Sequence, residues 1–314
     1  MTKKIVFIMG PGHCGSTLLD LILGSHSDAF SLGEFHRLRQ QLDKPSDKAY
    51  AHICGVCEDH CPFWNDKVSL PILKLFYSKR TKLHSGLGEA ARYFINPYQF
   101  LFKWSEKSVV IDSSKHPDWF TRQLSKRHTW RNIEPYLIYM GRDGRAVVNS
   151  YLRKYPDRGI KKVTENWMRQ INQMNKFYDE FSEHRKIRMS YENLAANPEN
   201  TIKATCELLG IEYEPEMLQY WQHDHHHIFG NGGTRSLIYK YKKQFQPESH
   251  ALRERIKHSK QFYSSQYYDQ LEVAIKLDLR WVNELSKDAV EDFNLIAGEM
   301  NKPFEYEIEQ KARA

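Results

Sequence analysis

Short β-rich runs alternate with segments of helical spacing along most of the chain. The β-rich runs lie at residues 5–9, 109–111, 136–140 and 187–191. The helical segments lie at residues 17–23, 86–104, 145–152, 164–181 and 198–209, and Gly210 follows the last of them as a C-terminal stop. Near-continuous apolar strands that alternate with helices indicate a sheet covered on both faces. The pattern therefore predicts an α/β fold with a central, mostly parallel sheet flanked by helices, and ligands beyond the carboxyl ends of the strands.

The same pattern predicts one domain over residues 1–314, because no convincing linker divides the chain. Two stretches, near residues 35–105 and 223–265, depart from the alternation, and we interpret them as insertions or lids. The tail, residues 268–313, returns to helical spacing through Leu271, Ile275, Leu279 and Trp281. It is expected to form helices that pack on the core.

The charge balance favours an anionic ligand. The chain has 46 Lys and Arg against 39 Asp and Glu, a net charge of +7. This small excess suits phosphate or sulfate and gives no reason to predict nucleic acid as a partner. No apolar stretch reaches the ~18 residues of a membrane span, and the five apolar residues before Gly10 are too few for a signal peptide. We therefore expect a cytoplasmic protein, and the sequence leaves its oligomeric state unknown.

A glycine-rich loop follows the first predicted strand. Residues 10–17 read GPGHCGST and lead into a helix, so backbone amides can face an anion at the positive helix end. The spacing is that of a P-loop, but Ser16 stands where the phosphate-binding lysine would be. This difference disfavours a nucleoside-triphosphate enzyme. An ordinary strand-to-helix turn is the structural alternative.

A second candidate for phosphate binding follows the predicted strand at residues 136–140. Arg142 comes directly after that strand, and Ser150 lies on the next predicted helix. A guanidinium binds phosphate oxygens through two parallel hydrogen bonds, and a hydroxyl can close on the same group. The alternative for Arg142 and Asp143 is a helix cap with a surface salt bridge.

Together these motifs resemble the bacterial-type family of sulfotransferases that use 3′-phosphoadenosine 5′-phosphosulfate (PAPS). Residues 13–26 are similar to the family's 5′-phosphosulfate loop, and Arg142 with Ser150 is similar to its 3′-phosphate motif. Further matches are Gly33-Glu34, CPFW at 61–64, and residues 112–115, 190–194 and 227–231 with Arg235. The resemblance implies a P-loop-like α/β fold related to nucleotide kinases. It also implies direct sulfuryl transfer from PAPS, which leaves 3′-phosphoadenosine 5′-phosphate (PAP), with no metal required.

The resemblance implies binding roles for individual residues. The residues expected to hold the 5′-phosphosulfate are Gly12, His13, Cys14, Gly15, Ser16 and Thr17. Arg142 and Ser150 would bind the 3′-phosphate, and Tyr191 would approach the adenine. Arg235, Lys242 or Lys243 would close over the 3′-phosphate.

The catalytic candidates are Glu34, His13, Lys115 and His116. Sulfuryl transfer needs a base for the acceptor's proton and cations around the transferred group. Glu34 is the first choice for the base, with His116 and His36 as alternatives, and Lys115 resembles the family's sulfate-contacting lysine. Many members carry Arg or Lys where His13 stands, so we expect His13 to donate a hydrogen bond to the leaving phosphate. The structural alternatives are a first-turn helix acid for Glu34 and a surface charge for Lys115.

The five cysteines are Cys14, Cys54, Cys57, Cys61 and Cys206, and their odd number argues against a secreted disulfide scaffold. Three of them, at 54, 57 and 61, have metal-like spacing with His52 and His60 nearby. Reduced packing thiols, a disulfide and a zinc site all remain open, and reduced thiols are preferred. We predict no metal site here, and none in the histidine-rich residues 223–227.

The function predicted from these residues is a PAPS-dependent sulfotransferase that acts on a hydroxyl or nitrogen of a small organic acceptor, such as a specialised metabolite. One alternative is a P-loop-like kinase that uses ATP and Mg²⁺. Another is a non-catalytic module that binds anions or nucleic acid. Two separated phosphate motifs with acid–base candidates between them favour the first function. No pattern in the chain identifies the acceptor.

Overall fold

Within the residues that the structure describes, five strands form one parallel sheet in the order β2-β3-β1-β4-β5. The structure is a computed structural model, and it describes residues 2–42, 53–57, 60–77, 96–125, 130, 132–245, 247–248 and 273–306. The strands are β1 (Lys3–Met9), β2 (Ala29–Ser31), β3 (Val109–Lys115), β4 (Ile133–Gly141) and β5 (Lys186–Ser190). The sheet confirms the predicted α/β fold with a central parallel sheet.

Helices connect the strands and continue after β5. The described α-helices are α1 (Ser16–Leu23), α2 (Leu38–Leu42), α3 (Leu70–Tyr77), α4 (Pro97–Ser105), α5 (Pro117–Leu124), α6 (Gly144–Lys154), α7 (Ile160–Glu180), α8 (Tyr191–Ala196), α9 (Pro198–Leu209), α10 (Gly232–Phe245), α11 (Trp281–Glu284) and α12 (Lys287–Asn301). Short 3₁₀-helices lie at Phe35–Arg37, Pro156–Arg158, Glu183–Arg185, Pro215–Gln222 and Lys302–Phe304, and a π-helix lies at Pro62–Lys67. No helix in this described part of the chain is long and apolar enough to cross a membrane.

The apolar character of β1 explains its central place in the sheet. Its residues 5–9 are completely buried, and neighbouring strands pair with it on both sides. Val6 lies opposite Ile111 of β3 and Tyr136 of β4. Helix α1 packs on β1, β2 and β3, while α7 packs on β4 and is itself covered by α6 and α12. Burial of such continuous apolar strands provides most of the free energy that holds an α/β domain together.

An irregularity in β3 positions Lys115 at the carboxyl edge of the sheet. Phe7 lies opposite Asp112, but Met9 lies opposite Lys115, so β3 contains one residue more than β1 over this stretch. The extra residue bends the strand, and Lys115 has a positive φ of 70°. At the same edge, the loop after β1, Glu34 after β2 and Arg142 after β4 lie at the ends of their strands.

Some predicted boundaries are wrong. The strand predicted to include Tyr191 ends at Ser190, and the helix predicted at residues 86–104 is described only as α4, with residues 86–95 outside the described part. Residues 275–279 are not helical, because their backbone groups bond elsewhere: the Tyr191 hydroxyl donates to the carbonyl of Lys276 (3.0 Å). The predicted lids near 35–105 and 223–265 also fall partly outside the described residues.

Candidate active site

The glycine-rich loop and the first turn of α1 line a cavity of about 1260 Å³ beyond the sheet edge. Gly15 caps α1 with a φ of 90°, and as a glycine it has no side chain that could cap the amides of the first turn. These N–H groups can therefore bind an anion. Ser16 and Thr17 also face the cavity, and Oγ1 of Thr17 accepts a hydrogen bond from the amide of Asn231 (2.9 Å). This bond leaves the hydroxyl proton of Thr17 available to a ligand.

Arg142 lies buried in the wall of the same cavity, where β4 ends. Its Nη1 donates to the carbonyl of His13 (2.8 Å), and its Nη2 donates to the carbonyl of Asp278 (3.1 Å). The guanidinium carbon lies 4.3 Å from the centre of the Tyr191 ring. Its Nε is buried and has no partner among the described residues. Arg142 is thus fixed against the glycine-rich loop, with one donor unused.

Asp278 and Arg280 add charge beside Arg142. Oδ2 of Asp278 lies 3.3 Å from Nη2 of Arg142, and both carboxylate oxygens accept from the Arg280 guanidinium at 2.8 Å. Burial opposes ionisation of Asp278, but the two arginines outweigh burial and hold the pKa of this carboxyl below its ordinary value. The cavity wall therefore has two guanidinium groups held by one carboxylate.

Ser150 and Tyr191 also line the cavity. Oγ of Ser150 accepts a hydrogen bond from Nη2 of Arg153 (3.2 Å), and Arg153 also lines the cavity. The hydroxyl of Tyr191 is held by residues 276 and 278, which leaves the ring face beside Arg142. The second predicted phosphate motif and the glycine-rich loop therefore share one cavity.

Glu34 forms an ion-pair network in another part of the cavity wall. Its Oε1 accepts a hydrogen bond from Nζ of Lys115, and its Oε2 lies 2.6 Å from Nε of Arg37. Burial alone raises the pKa of Glu34, but Lys115 and Arg37 outweigh burial and lower it to about 2. Glu34 is therefore ionised at neutral pH, beside two cations.

Three histidines face the cavity in their neutral form. Burial, together with nearby Lys154 and Arg142, lowers the pKa of His13 to about 3. Burial likewise lowers the pKa of His36 to about 4, and burial with the charge of Lys115 lowers that of His116. The rings of His36 and His116 pack edge to face at 5.4 Å. Each neutral imidazole can accept one proton, and each can donate one hydrogen bond.

Comparison with known proteins identifies the family. A model of the sulfotransferase family matches residues 6–215, a stretch that holds the glycine-rich loop, Glu34, Lys115 and Arg142. The chain belongs to the sulfotransferase family. This confirms the resemblance drawn from the motifs. No curated protein matches the chain.

Solved structures similar to this sulfotransferase include two sulfotransferase domains of biosynthetic pathways. The sulfotransferase domain of the Synechococcus PCC 7002 olefin synthase aligns with a TM-score of 0.57 and 14% identity, over 98% of this chain and 96% of that one. The sulfotransferase domain from the curacin biosynthetic pathway aligns with a TM-score of 0.45 and 19% identity, over 71% of this chain and 79% of that one. The first alignment shows that the two chains share a fold.

Two predicted binding residues of this sulfotransferase lie away from the cavity. The side chain of Cys14 is fully buried, and a Cβ at Gly10 would lie 2.6 Å from its sulfur. Arg235 donates from Nη1 to the carbonyl of Gly55, because the first turn of α10 packs against residues 53–57. Neither Arg235 nor Lys242 nor Lys243 is among the described residues that line the cavity.

Several residues at the site were not predicted from the sequence. Arg37 stands three residues after Glu34 in a 3₁₀-helix, a spacing that could have suggested the ion pair. Asp278 and Arg280 gave no local signal, because they follow Arg142 by more than 130 residues. His227 was noted only within a family match and a histidine-rich segment, yet its Nε2 lies 2.9 Å from Oδ2 of buried Asp20 in α1.

Gly15→Ala is expected to weaken PAP binding at least about tenfold, a change of about 1.4 kcal/mol. An added Cβ would lie 2.6 Å from Cδ2 of Tyr191, and the φ of +90° is strained for alanine. The substitution should therefore disturb both the loop and the tyrosine, which calorimetric titration with PAP would detect.

Gly210→Ala is the matched control. Gly210 also has a positive φ, +58°, but the nearest atom to an added Cβ is Nζ of Lys4 at 3.5 Å. The control should lower the free energy of unfolding by about 1 kcal/mol and leave PAP affinity unchanged. Equal PAP affinity in the Gly15→Ala protein would contradict the assignment of this loop.

Proposed function

We propose that this sulfotransferase transfers the sulfuryl group of PAPS to a hydroxyl, or to a nitrogen, of a small organic acceptor. The observation that carries the proposal is the shared cavity. It is lined by a glycine-rich loop without the P-loop lysine, by buried Arg142, and by the ion pair of Glu34 with Lys115. The loop and Arg142 are two separate anion-binding features, and Glu34 is an acid–base group on the same cavity. This combination fits a nucleotide that carries a reacting sulfate at one end and a separate phosphate.

The described residues fit PAPS as a cosubstrate. The 5′-phosphosulfate is assigned to the loop amides that line the cavity, at residues 12, 13 and 15–17, and to the hydroxyls of Ser16 and Thr17. The 3′-phosphate is assigned to Arg142, whose buried Nε has no partner among the described residues, and to Ser150. Because Asp278 already contacts Arg142, the bound phosphate must share the arginine with this carboxylate or displace it. Tyr191 offers its ring face to the adenine.

Transfer forms a bond between the acceptor oxygen and the sulfur and breaks the bond between the sulfur and the bridging oxygen of PAPS. The acceptor's proton passes to Glu34, and PAP leaves with the electron pair of the broken bond. Lys115, which bonds Glu34 in the free protein, is assigned to the oxygens of the sulfuryl group. Movement of this ammonium toward the sulfate also raises the basicity of Glu34, because it removes a neighbouring positive charge.

His13 is assigned to the bridging oxygen of the leaving phosphate. In the free protein, burial and nearby cations hold the pKa of His13 at about 3, so the ring is neutral and can donate from one nitrogen. The negative charge of a bound phosphosulfate has the opposite effect on the pKa of His13, because it stabilises the imidazolium.

Loss of the His13 donor in His13→Ala should slow sulfuryl transfer more than it weakens PAP binding. Undiminished turnover in this variant would contradict the assignment.

The acceptor is proposed to be a small molecule that occupies the part of the cavity left by the nucleotide. Aromatic and apolar side chains contribute to the lining of the cavity, among them Tyr220, Phe229 and Leu237. Such a wall suits an organic acceptor with apolar surface, such as a specialised metabolite. All five cysteines are free, which is compatible with the reducing cytoplasm.

The test of this function is a transfer assay with PAPS and a panel of phenols, alcohols, sugars and amines. Formation of PAP together with a product that is heavier by one SO₃ group would support the proposal. The same assay with ATP and Mg²⁺ tests the alternative of a kinase. Phosphorylated products, with none sulfated, would replace the proposed function.

A further inference from the structure

Three cysteine sulfurs and one imidazole nitrogen meet outside the cavity wall. The ligand atoms of Cys54, Cys57, Cys61 and His226 all lie within 4.8 Å of one another. The sulfurs of Cys57 and Cys61 are each 3.3 Å from Nδ1 of His226. The first three residues come from one short segment, while His226 follows 165 residues after Cys61, so the fold alone creates the cluster.

We propose that these four residues bind one zinc ion as a structural Cys₃His site. Tetrahedral zinc with ordinary Zn–S and Zn–N bonds separates its ligand atoms by about 3.5–3.8 Å. The sulfur–nitrogen distances of 3.3 Å are close to that spacing and need only small adjustment. Three thiolates and an imidazole are also the donor set that zinc favours over Mg²⁺ or Ca²⁺.

Backbone amides already point at two of the sulfurs. The amides of Val56 and Cys57 lie 3.4 and 3.2 Å from Sγ of Cys54. The amide of Trp64 lies 3.5 Å from Sγ of Cys61, which caps the π-helix. Such N–H···S bonds stabilise a thiolate, the form in which cysteine binds a metal. The short turn at residues 54–57 therefore presents its sulfurs as a metal-binding loop does.

His226 is held with its Nδ1 toward the sulfurs. The indole N–H of Trp64 donates to the carbonyl of His226 (2.5 Å), and the ring of Phe63 stacks nearly parallel on the imidazole at 5.8 Å. Both contacts come from the π-helix that begins next to Cys61. Residues around a metal site commonly fix a histidine ligand in this way.

A disulfide would account for less of this arrangement. One S–S bond would join two of the three sulfurs. It would not explain why the third thiol and the imidazole lie beside them. Reduced packing thiols would not require an imidazole nitrogen at contact distance from two sulfurs. The spacing of the three cysteines did not reveal the site, because the fourth ligand lies in a distant segment. Zinc uses all four ligand atoms and leaves no open coordination position, which indicates a structural site rather than a catalytic one.

The site would fasten residues 53–57 to the segment that supports Glu34. The amide of Gly55 donates to the carbonyl of His227 (2.7 Å), and Ile228 bridges both Cys54 and Gly33. The amide of Glu34 in turn donates to the carbonyl of Ile228 (2.8 Å). The metal ligand His226 is therefore two residues from Ile228, which contacts the backbone of the proposed base, Glu34.

The first test measures metal content in protein purified without chelator under reducing conditions. We expect about one zinc ion per chain by elemental analysis. After chelation, Co²⁺ should restore binding and give the visible absorption of tetrahedral thiolate coordination. Absence of metal from the purified protein, together with no Co²⁺ binding after chelation, would overturn the proposal. This readout does not depend on the sulfotransferase activity.

Variants then assign the ligands. Cys57→Ser and His226→Ala should lose the stoichiometric metal, while His226→Cys should retain it because a fourth thiolate replaces the imidazole. Cys206→Ser is the matched control, since Cys206 is a buried cysteine in α9 outside the cluster. Equal metal content in Cys57→Ser and Cys206→Ser would contradict the site. If Cys57→Ser fails to fold, the Co²⁺ spectrum of the wild-type protein still decides.

Discussion

Arg142→Ala should lower the affinity for PAP by about 100-fold and leave the affinity for ADP within about threefold. PAP carries a 3′-phosphate, which we assign to this guanidinium, whereas ADP carries its second phosphate at the 5′ position. Arg142 is buried, and hydrogen bonds to the His13 and Asp278 carbonyls hold it in place, so its position beside the loop is fixed before a phosphate binds. Calorimetric titration of both nucleotides into the wild type and the variant measures the effect.

Two further proteins make this result specific. Arg142→Lys keeps the charge but loses the planar fork, and should recover only part of the PAP affinity. Arg185→Ala removes a guanidinium that pairs with Glu134 (2.9 Å) away from the cavity, and should change neither affinity. Equal losses of PAP and ADP in Arg142→Ala would mean that Arg142 supports the loop through His13 rather than binding the 3′-phosphate.

Glu34→Gln should lower the rate of sulfuryl transfer by roughly 10² to 10⁴ and leave PAP affinity within a few fold. The amide keeps the size of the side chain and one acceptor oxygen for Lys115, but it cannot take the acceptor's proton. Because Lys115 and Arg37 outweigh burial and hold the pKa of Glu34 at about 2, the carboxylate stays ionised as the pH falls to about 5. The factor by which Glu34→Gln lowers the transfer rate should therefore be the same at about pH 6 and about pH 8.

His116→Asn and His36→Asn are the comparisons that identify the base. Both histidines face the cavity and are neutral, so either could accept a proton. Single-turnover rates for the three variants should show the large loss in Glu34→Gln and losses below about tenfold in the histidine variants. A large loss in His116→Asn with a small one in Glu34→Gln would transfer the role of base to His116.

Local sequence signals predicted the part of the site that depends on one strand and the loop after it. The loop at residues 10–17, Glu34, Lys115 and Arg142 each follow a strand, and parallel strands bring their carboxyl ends to one edge. Burial of apolar β1 and its neighbours also required a covered parallel sheet. These features could be predicted from the sequence because the residues that determine them are close together in the chain.

The remaining features depend on contacts between distant segments. Arg235 points to Gly55 because of how α10 packs on residues 53–57, which the local pattern of α10 does not determine. The apolar spacing at residues 275–279 suggested a helix, yet bonds to Tyr191 and Arg142 hold that stretch in a non-helical form. His226 joins the three cysteines only after the fold forms.

The most direct test of the central claim compares PAP, ADP, and ATP with Mg²⁺ as ligands of the wild-type protein by calorimetry. The account predicts that PAP binds at least about tenfold more tightly than ADP, because the buried guanidinium of Arg142 contacts the 3′-phosphate, which ADP lacks. It also predicts that ATP with Mg²⁺ binds no better than ADP, since Ser16 replaces the P-loop lysine. Binding of ATP with Mg²⁺ as tight as that of PAP would contradict the account and favour a kinase.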